Sequence, residues 1–274
     1  MDELQNKYEQ LKKGLLALGS VAVAFSAGVD STFLLKAAHD TLGDNAIAIT
    51  AEHSALTLRE RDDAVRFCRE QNVRRIGFEF DCLSVEGFSE NPPDRCYVCK
   101  KAIFGKIAEI ARANGVAAAA DGTNADDAGE RRPGMRALAE LGIVSPLRDA
   151  GLTKADIRAL SKKLGLATWD RPSGACLATR VPYGEKITAK KLAMIGDAEE
   201  ALLNLGFRGT RVRCHGDIAR IEVENADFDR MLDPAIRSAV SEKLKEIGFL
   251  YVSLDLEGYK TGSLDRALDK EKTG

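Results

Sequence analysis

The run Val21-Ala22-Val23-Ala24, followed at once by Phe25-Ser26-Ala27-Gly28-Val29-Asp30-Ser31-Thr32, constrains the fold more than any other stretch of the chain. An apolar run, a turn of small and hydroxylated residues, and the apolar-patterned Phe33-Leu34-Leu35-Lys36-Ala37-Ala38 predict a buried strand feeding directly into a helix. A helix start of this kind presents unpaired backbone N–H groups at the positive end of the helix dipole, a ready site for phosphate. Ser26, Ser31 and Thr32 add hydroxyls there, and Asp30 supplies a carboxylate able to hold magnesium against the same phosphates. The spelling has neither the Gly-Lys-Ser/Thr of a Walker A loop nor the Gly-x-Gly-x-x-Gly of dinucleotide folds.

Strand and helix signals alternate downstream. Strands are expected over Ser20–Phe25, Ala46–Ala51, Arg75–Phe80, Gly115–Ala120 and Gly142–Val144, with helices near Thr32–Thr41, Leu56–Gln71, Val98–Asn114 and Arg136–Leu141. This is the pattern of an α/β fold, a parallel sheet flanked by helices. Ligands bind such sheets beyond the carboxyl ends of the strands, so the first turn, Asp81 and Asp121-Gly122-Thr123-Asn124 are expected to line one cleft, with Asp121 on the cofactor. The pattern changes after about residue 175. A helix over Ala189–Leu205, a hairpin of Thr210–His215 and Asp217–Val223, helical segments to Ile247 and a last strand at Tyr251–Leu256 predict a smaller α+β domain. The expected boundaries are 1–174 and 175–266, with 267–274 too poor in apolar groups to order itself. At 274 residues and 45% hydrophobic content both parts have material for a core. A net charge of −2 gives no sign of a nucleic-acid partner. No apolar run approaches the ~20 residues of a membrane span, and Met1–Lys7 reads as an amphipathic helix rather than a signal peptide. The expectation is a cytoplasmic protein with no membrane partner.

Six cysteines in a reducing compartment point to metal or catalytic roles rather than disulfides. Cys96 and Cys99 follow the helix-breaking Asn91-Pro92-Pro93-Asp94 and open a helix, where thiols at i and i+3 converge and the dipole lowers their pKa. The pair suits zinc, an iron–sulfur cluster or a redox disulfide. Cys176 lies in the Pro- and Gly-rich loop Pro172–Gly184. Three thiolates without a near fourth ligand suit a [4Fe–4S] cluster with one open iron, whereas a four-coordinate zinc site would recruit His215. Cys68, Cys82 and Cys214 read as packed thiols. In Thr210-Arg211-Val212-Arg213-Cys214-His215, period-two geometry puts Arg211, Arg213 and His215 on one face, with Arg220 and Lys260 as neighbours. Such a face suits bidentate binding of phosphate or carboxylate; the competing reading is a solvated face paired to Glu222 or Glu224. Glu199 and Glu200 share one helix, and spacing does not choose between them.

The loop Ser26–Ser31 resembles the PP-loop, Ser-Gly-Gly-x-Asp-Ser, of enzymes that cleave ATP to AMP and pyrophosphate. Together with Cys96–Lys101, Asp121-Gly122, Arg132-Pro133-Gly134, Cys176 with Arg180 and Pro182-Tyr183-Gly184, Arg211–Arg213 and Asp217–Glu222, it makes the chain resemble the LarE family over nearly its whole length. The resemblance implies a PP-loop (adenine nucleotide alpha hydrolase-like) fold and an ATP-dependent sulfur transferase acting on pyridinium-3,5-biscarboxylic acid mononucleotide. That reaction builds the nickel-pincer nucleotide cofactor of lactate racemase-type enzymes. It further implies that Ser26, Gly28, Asp30 and Ser31 bind ATP and magnesium, that Thr179, Arg180, Arg211 and Arg213 hold the anionic substrate, and that the protein is a homo-oligomer. Cys176 matches the sulfur-bearing cysteine. In one branch of the family that sulfur is sacrificed; in a three-cysteine branch, which Cys96, Cys99 and Cys176 fit, an iron–sulfur cluster passes on a sulfide. One departure stands out: position 27 is Ala where the PP-loop has Gly, and Ala resists positive φ. The main alternative is a PP-loop tRNA thiolase, which calls for a broad basic surface; an amidating synthetase would leave the three cysteines without a use.

Overall fold

The computed structural model describes residues 3–53, 55, 58–129, 133–172, 174, 176–260 and 262–263. The expected tail 267–274 and Arg132 lie outside them. The chain divides into two compact units: Met1–Asp81 with Cys96–Ser173, and Cys82–Arg95 with Gly174–Gly274. The second unit therefore takes a segment, Cys82–Arg95, that the sequence reading gave to the first.

In the first unit, helix α1 (Glu3–Leu18) precedes β1 (Val21–Ala24), α2 (Val29–Leu42), β2 (Ala46–Glu52), α3 (Leu58–Glu70), β3 (Arg75–Glu79), α4 (Arg95–Ala113), β4 (Ala118–Ala120), α5 (Pro133–Glu140), α6 (Pro146–Asp149) and α7 (Lys154–Lys163). The strands form one parallel sheet in the order β3-β2-β1-β4. Alternation along β1 and β2 sorts the side chains between two cores. Val21, Val23, Ala46 and Ala48 join Leu11, Leu15, Phe33, Leu34, Ile157 and Leu160 on one face. Ala22, Ile47 and Ile49 join Ile107, Ala111 and Leu138 on the other. The sheet is thus covered on both sides, which is why its strands read as near-continuous apolar runs.

Two expectations change. The strand foreseen at Gly142–Val144 is reduced to a single parallel bridge, Ala120 to Val144. Gly142 turns the chain at φ +67°, and Pro146 starts α6 two residues after Val144, which leaves no length for a strand. Helix α2 begins at Val29 rather than near Thr32, so Asp30 and Ser31 sit in its first turn. Helix α7, which went unforeseen, is announced by a capping box in which Thr153 accepts from the Asp156 N–H and Asp156 accepts from the Thr153 N–H.

In the second unit, α8 (Ala189–Asn204), β5 (Arg211–His215), β6 (Ile218–Glu222), α9 (Phe228–Leu232), α10 (Pro234–Ile247) and β7 (Tyr251–Leu254) follow a 3₁₀ turn at Leu177–Arg180. The sheet order is β5-β6-β7. The first pair is antiparallel and the second parallel, as a hairpin at Gly216-Asp217 and a helical crossover require.

Candidate active-site residues

In the first unit the turn after β1 carries the expected phosphate loop. Ser26 Oγ and Ser31 Oγ lie 3.2 Å apart, Ser31 Oγ donates to Gly28 O at 3.4 Å, and Gly28 caps α2 in extended conformation. The left-handed residue is Ala27, at φ +55° and 2% exposed. An L-residue pays roughly 1–2 kcal/mol for that conformation, so the Ala-for-Gly departure is accommodated as accepted strain. The Thr32 hydroxyl is buried, with no hydrogen-bond partner among the described residues.

The turn after β4 meets this helix start. A Cβ on Gly122 would come within 3.1 Å of Ser31 N and 3.3 Å of Asp30 Cβ, so glycine permits the approach. Asn124 Nδ2 donates to Asp30 Oδ1 at 3.5 Å, and Lys154 Nζ, from the first turn of α7, donates to Asp30 Oδ2. Lys154 was missed in the sequence; the capping box that begins α7 is the signal that would have placed it. Asp121 is 4% exposed and braces the turn: its oxygens accept from Thr123 Oγ1 and from Ser145 Oγ (2.7 Å). Asp81, just beyond β3, is exposed. His53, just beyond β2, is pushed by burial down to about 4 and is neutral at physiological pH.

All six cysteines are thiols. Cys96 and Cys99 occupy the start of α4, exposed and half-buried respectively. Cys68, Cys82 and Cys214 are buried, and burial pushes the Cys68 thiol up to about 11. Among the described residues no three His, Cys, Asp or Glu side chains are gathered as a metal site.

The second unit brings together Cys176, Arg180, Arg211, Arg213 and Arg220. Exposed Cys176 caps the 3₁₀ turn, and its carbonyl accepts from the Thr179 N–H (2.9 Å), Thr179 Oγ1 (2.8 Å) and Arg180 Nη1 (3.3 Å). Arg180, 3% exposed, forks onto Glu199 at 2.8 and 3.0 Å; burial opposes its charge, but the carboxylate outweighs burial and its pKa rises. Glu199 also accepts from the Val212 N–H at 3.0 Å, which fixes it, rather than Glu200, as the acidic residue of this site. Arg211 donates to Thr210 O at 2.9 Å and lies over the Tyr259 ring at 5.1 Å. Burial and the adjacent Arg180 both push its pKa down. Arg213 donates to Thr179 O (3.0 Å) and to Glu222 (2.6 Å), and Arg220 reaches Glu222 (3.1 Å) and Asp255 (2.9 Å). The pairing to Glu222 foreseen for a solvated face is present, yet Arg211 and Arg213 are 7% and 6% exposed and Glu222 is fully buried. Lys260 pairs with Glu257 at 3.5 Å instead of joining the group. His215 is half-buried, and burial followed by Arg220 lowers its pKa.

Glu222 carries the largest structural load here, because it accepts from two guanidiniums and from Ser263 Oγ (2.9 Å). Removing one member of a buried pair leaves the other charge uncompensated, so Glu222→Ala should cost about 3–5 kcal/mol in urea unfolding. A loss under about 1 kcal/mol would mean that Arg213 finds another partner.

No family model matches the chain. Over 271 residues it is 38% identical to the pyridinium-3,5-bisthiocarboxylic acid mononucleotide synthase of Lactiplantibacillus plantarum, covering 98% of both chains. An uncharacterized protein of Synechocystis is 38% identical over 97% of this chain and 100% of its own length. A glutamine-hydrolyzing GMP synthase polypeptide of Thermoplasma acidophilum is 27% identical over 71% of this chain and 65% of its own. The parallel sheet, the Ser26–Ser31 loop and a match of this extent lead to one conclusion: the chain belongs to the LarE family of ATP-dependent sulfur transferases.

Proposed function

We propose that the chain adenylates the carboxylates of pyridinium-3,5-biscarboxylic acid mononucleotide and converts them to thiocarboxylates, in the making of the nickel-pincer nucleotide cofactor. The observation that carries this reading is the arginine group beside Cys176. Arg180 pairs with Glu199, Arg213 and Arg220 share Glu222, Arg220 also reaches Asp255, and burial disfavours the charge on the nearby Arg211. Guanidinium forks beside an exposed thiol suit the phosphate and carboxylates of an anionic ligand.

A free carboxylate is a poor electrophile. Its oxygen attacks the α-phosphorus of ATP, the bond to the bridging oxygen breaks, and pyrophosphate leaves. In this reading the N–H groups at the start of α2, with Ser26 and Ser31, hold the phosphates, and Asp30 holds magnesium against them. A sulfur nucleophile then adds to the acyl carbon of the adenylate and AMP departs, leaving the thiocarboxylate. Two rounds give the bis-thioacid.

The sulfur reaches the adenylate by one of two routes through Cys176. Cys96 and Cys99 offer accessible thiols at helical i, i+3 spacing, a donor set that fits iron–sulfur ligation. A [4Fe–4S] cluster held by Cys96, Cys99 and Cys176 would supply a bound sulfide for transfer and permit repeated turnover. In the sacrificial route the Cys176 Cβ–Sγ bond breaks with loss of the α-proton, and dehydroalanine remains. We favour the cluster. The reading places the enzyme in the cytoplasm as a homo-oligomer without nucleic-acid or membrane partners; no described helix is long and apolar enough to cross a membrane.

AMP and pyrophosphate should form from ATP only with the pyridinium biscarboxylate present; ATP cleavage indifferent to that compound would refute the proposal. For the sulfur route, anaerobic reconstitution should load about four irons per chain, as a [4Fe–4S] centre requires, with a clear loss in Cys96→Ala. Iron-free protein that nonetheless transfers one sulfur per chain would leave Cys176 as the donor.

A further inference from the structure

Arg171 lies beyond α7, far from the phosphate loop in sequence, yet its side chain reaches that loop. Its Nη1 donates to the carbonyl of Ala27 at 3.0 Å. Its Nη2 donates to Asp63 of α3, a carboxylate 8% exposed that also accepts from Arg66. The backbone around Arg171 is itself held: Arg158 of α7 donates to Arg171 O at 2.7 Å and to Trp169 O at 2.8 Å. One helix thus holds the Arg171 backbone and another its guanidinium, and that guanidinium grips the carbonyl of the strained residue, Ala27 at φ +55°.

The grip has a consequence one atom further on. In a planar trans peptide the C=O of Ala27 and the N–H of Gly28 point to opposite sides. Holding the carbonyl toward Arg171 therefore sets the direction in which the Gly28 N–H is presented at the start of α2. Glycine at position 27 would reach left-handed φ without penalty; alanine needs something to hold it there.

We propose that Arg171 is a positioning residue for ATP, clamping the Ala27–Gly28 peptide so that the Gly28 N–H is aimed at the bound phosphates. Arg171 touches no reacting atom in this assignment and acts through Ala27. The inference rests on the reading of Ser26–Ser31 as the phosphate loop.

A double-mutant cycle tests it, with magnesium–ATP affinity measured by calorimetry and urea midpoints measured beside it. Arg171→Gln should weaken ATP binding about tenfold, the equivalent of roughly 1.4 kcal/mol of left-handed strain left unsupported. In an Ala27→Gly background the same substitution should cost no more than about twofold, since glycine adopts the conformation unaided. Equal losses in both backgrounds would overturn the clamp, as would no loss in the alanine background. Should Arg171→Gln fold poorly, Arg171→Lys keeps a cation for Asp63 but cannot fork to both partners. It should weaken ATP by several-fold, and unchanged affinity would count against the proposal. Ser31→Ala separates the two layers. Unchanged ATP affinity in that variant would sink the phosphate-loop reading, whereas a weakened Ser31→Ala with an uncoupled Arg171–Ala27 cycle would sink the clamp alone.

Discussion

Cys176→Ala is expected to leave pyrophosphate release running while thiocarboxylate formation falls to nothing. The separation follows from how the residue is held. The turn is held through the Cys176 carbonyl, which accepts from Thr179 and Arg180. Alanine keeps the carbonyl, the 3₁₀ turn and the Arg180–Glu199 fork, so the anion-binding group should persist. What disappears is the sulfur atom that both routes require. The acyl adenylate then has no nucleophile but water. Pyrophosphate release and mass spectrometry of the pyridinium product, run on the same sample, read both halves. Any thiocarboxylate made by the variant would remove Cys176 from the reaction.

Asp30→Ala should do the reverse, stopping the reaction before the adenylate exists. Asp30 projects from the first turn of α2, with Lys154 and Asn124 on its two oxygens. Its side chain and that of Lys154 are 22% and 27% exposed, so losing the pair should cost only about 0.2–1 kcal/mol of stability. The chemical cost is far larger. In the proposed role Asp30 would anchor magnesium and through it offset the charge developing on the leaving pyrophosphate, so a loss on the order of 10²-fold or more in pyrophosphate release is expected. Near-normal release from a folded variant would take the metal role away from Asp30.

These contrasts could be framed from the sequence because some of its signals are local. The apolar runs at Val21–Ala24 and Ala46–Ala51 read as buried strands, since both sheet faces are covered. The arginine face was legible because side chains on a strand alternate, and Arg213 does sit opposite Arg220 in the hairpin. Other features are not local. Glu199 and Glu200 are neighbours on α8, and only the packing of that helix beside β5 decides which one meets Arg180. Lys154 meets Asp30 across 124 residues and Arg171 meets Ala27 across 144, spans that no periodicity reports. The Gly142–Val144 run looked like a strand by composition, but a glycine turn before it and a proline after it left room for one bridge.

The interleaving of the two units bears on how the chain can be made and cut. Asn91, fully buried, donates from Nδ2 to Val181 O and Pro182 O, partners that follow it by 90 and 91 positions. Gly184 N and Ile187 N close the same junction onto Asn91 O and Ser89 O. A ribosome emits the excursion Cys82–Arg95 long before it emits the 181–187 segment to which that excursion is bonded. The second unit therefore matures only when a loop carrying most of the first unit's second half has closed, an entropic cost met late in synthesis. A fragment ending at residue 173 would carry Asn91 without its partners at Val181 and Pro182. One beginning at 174 would lack the segment that fills its own interior. The two units are separable by contact but not by scissors, so domain dissection of this enzyme should proceed by point substitution.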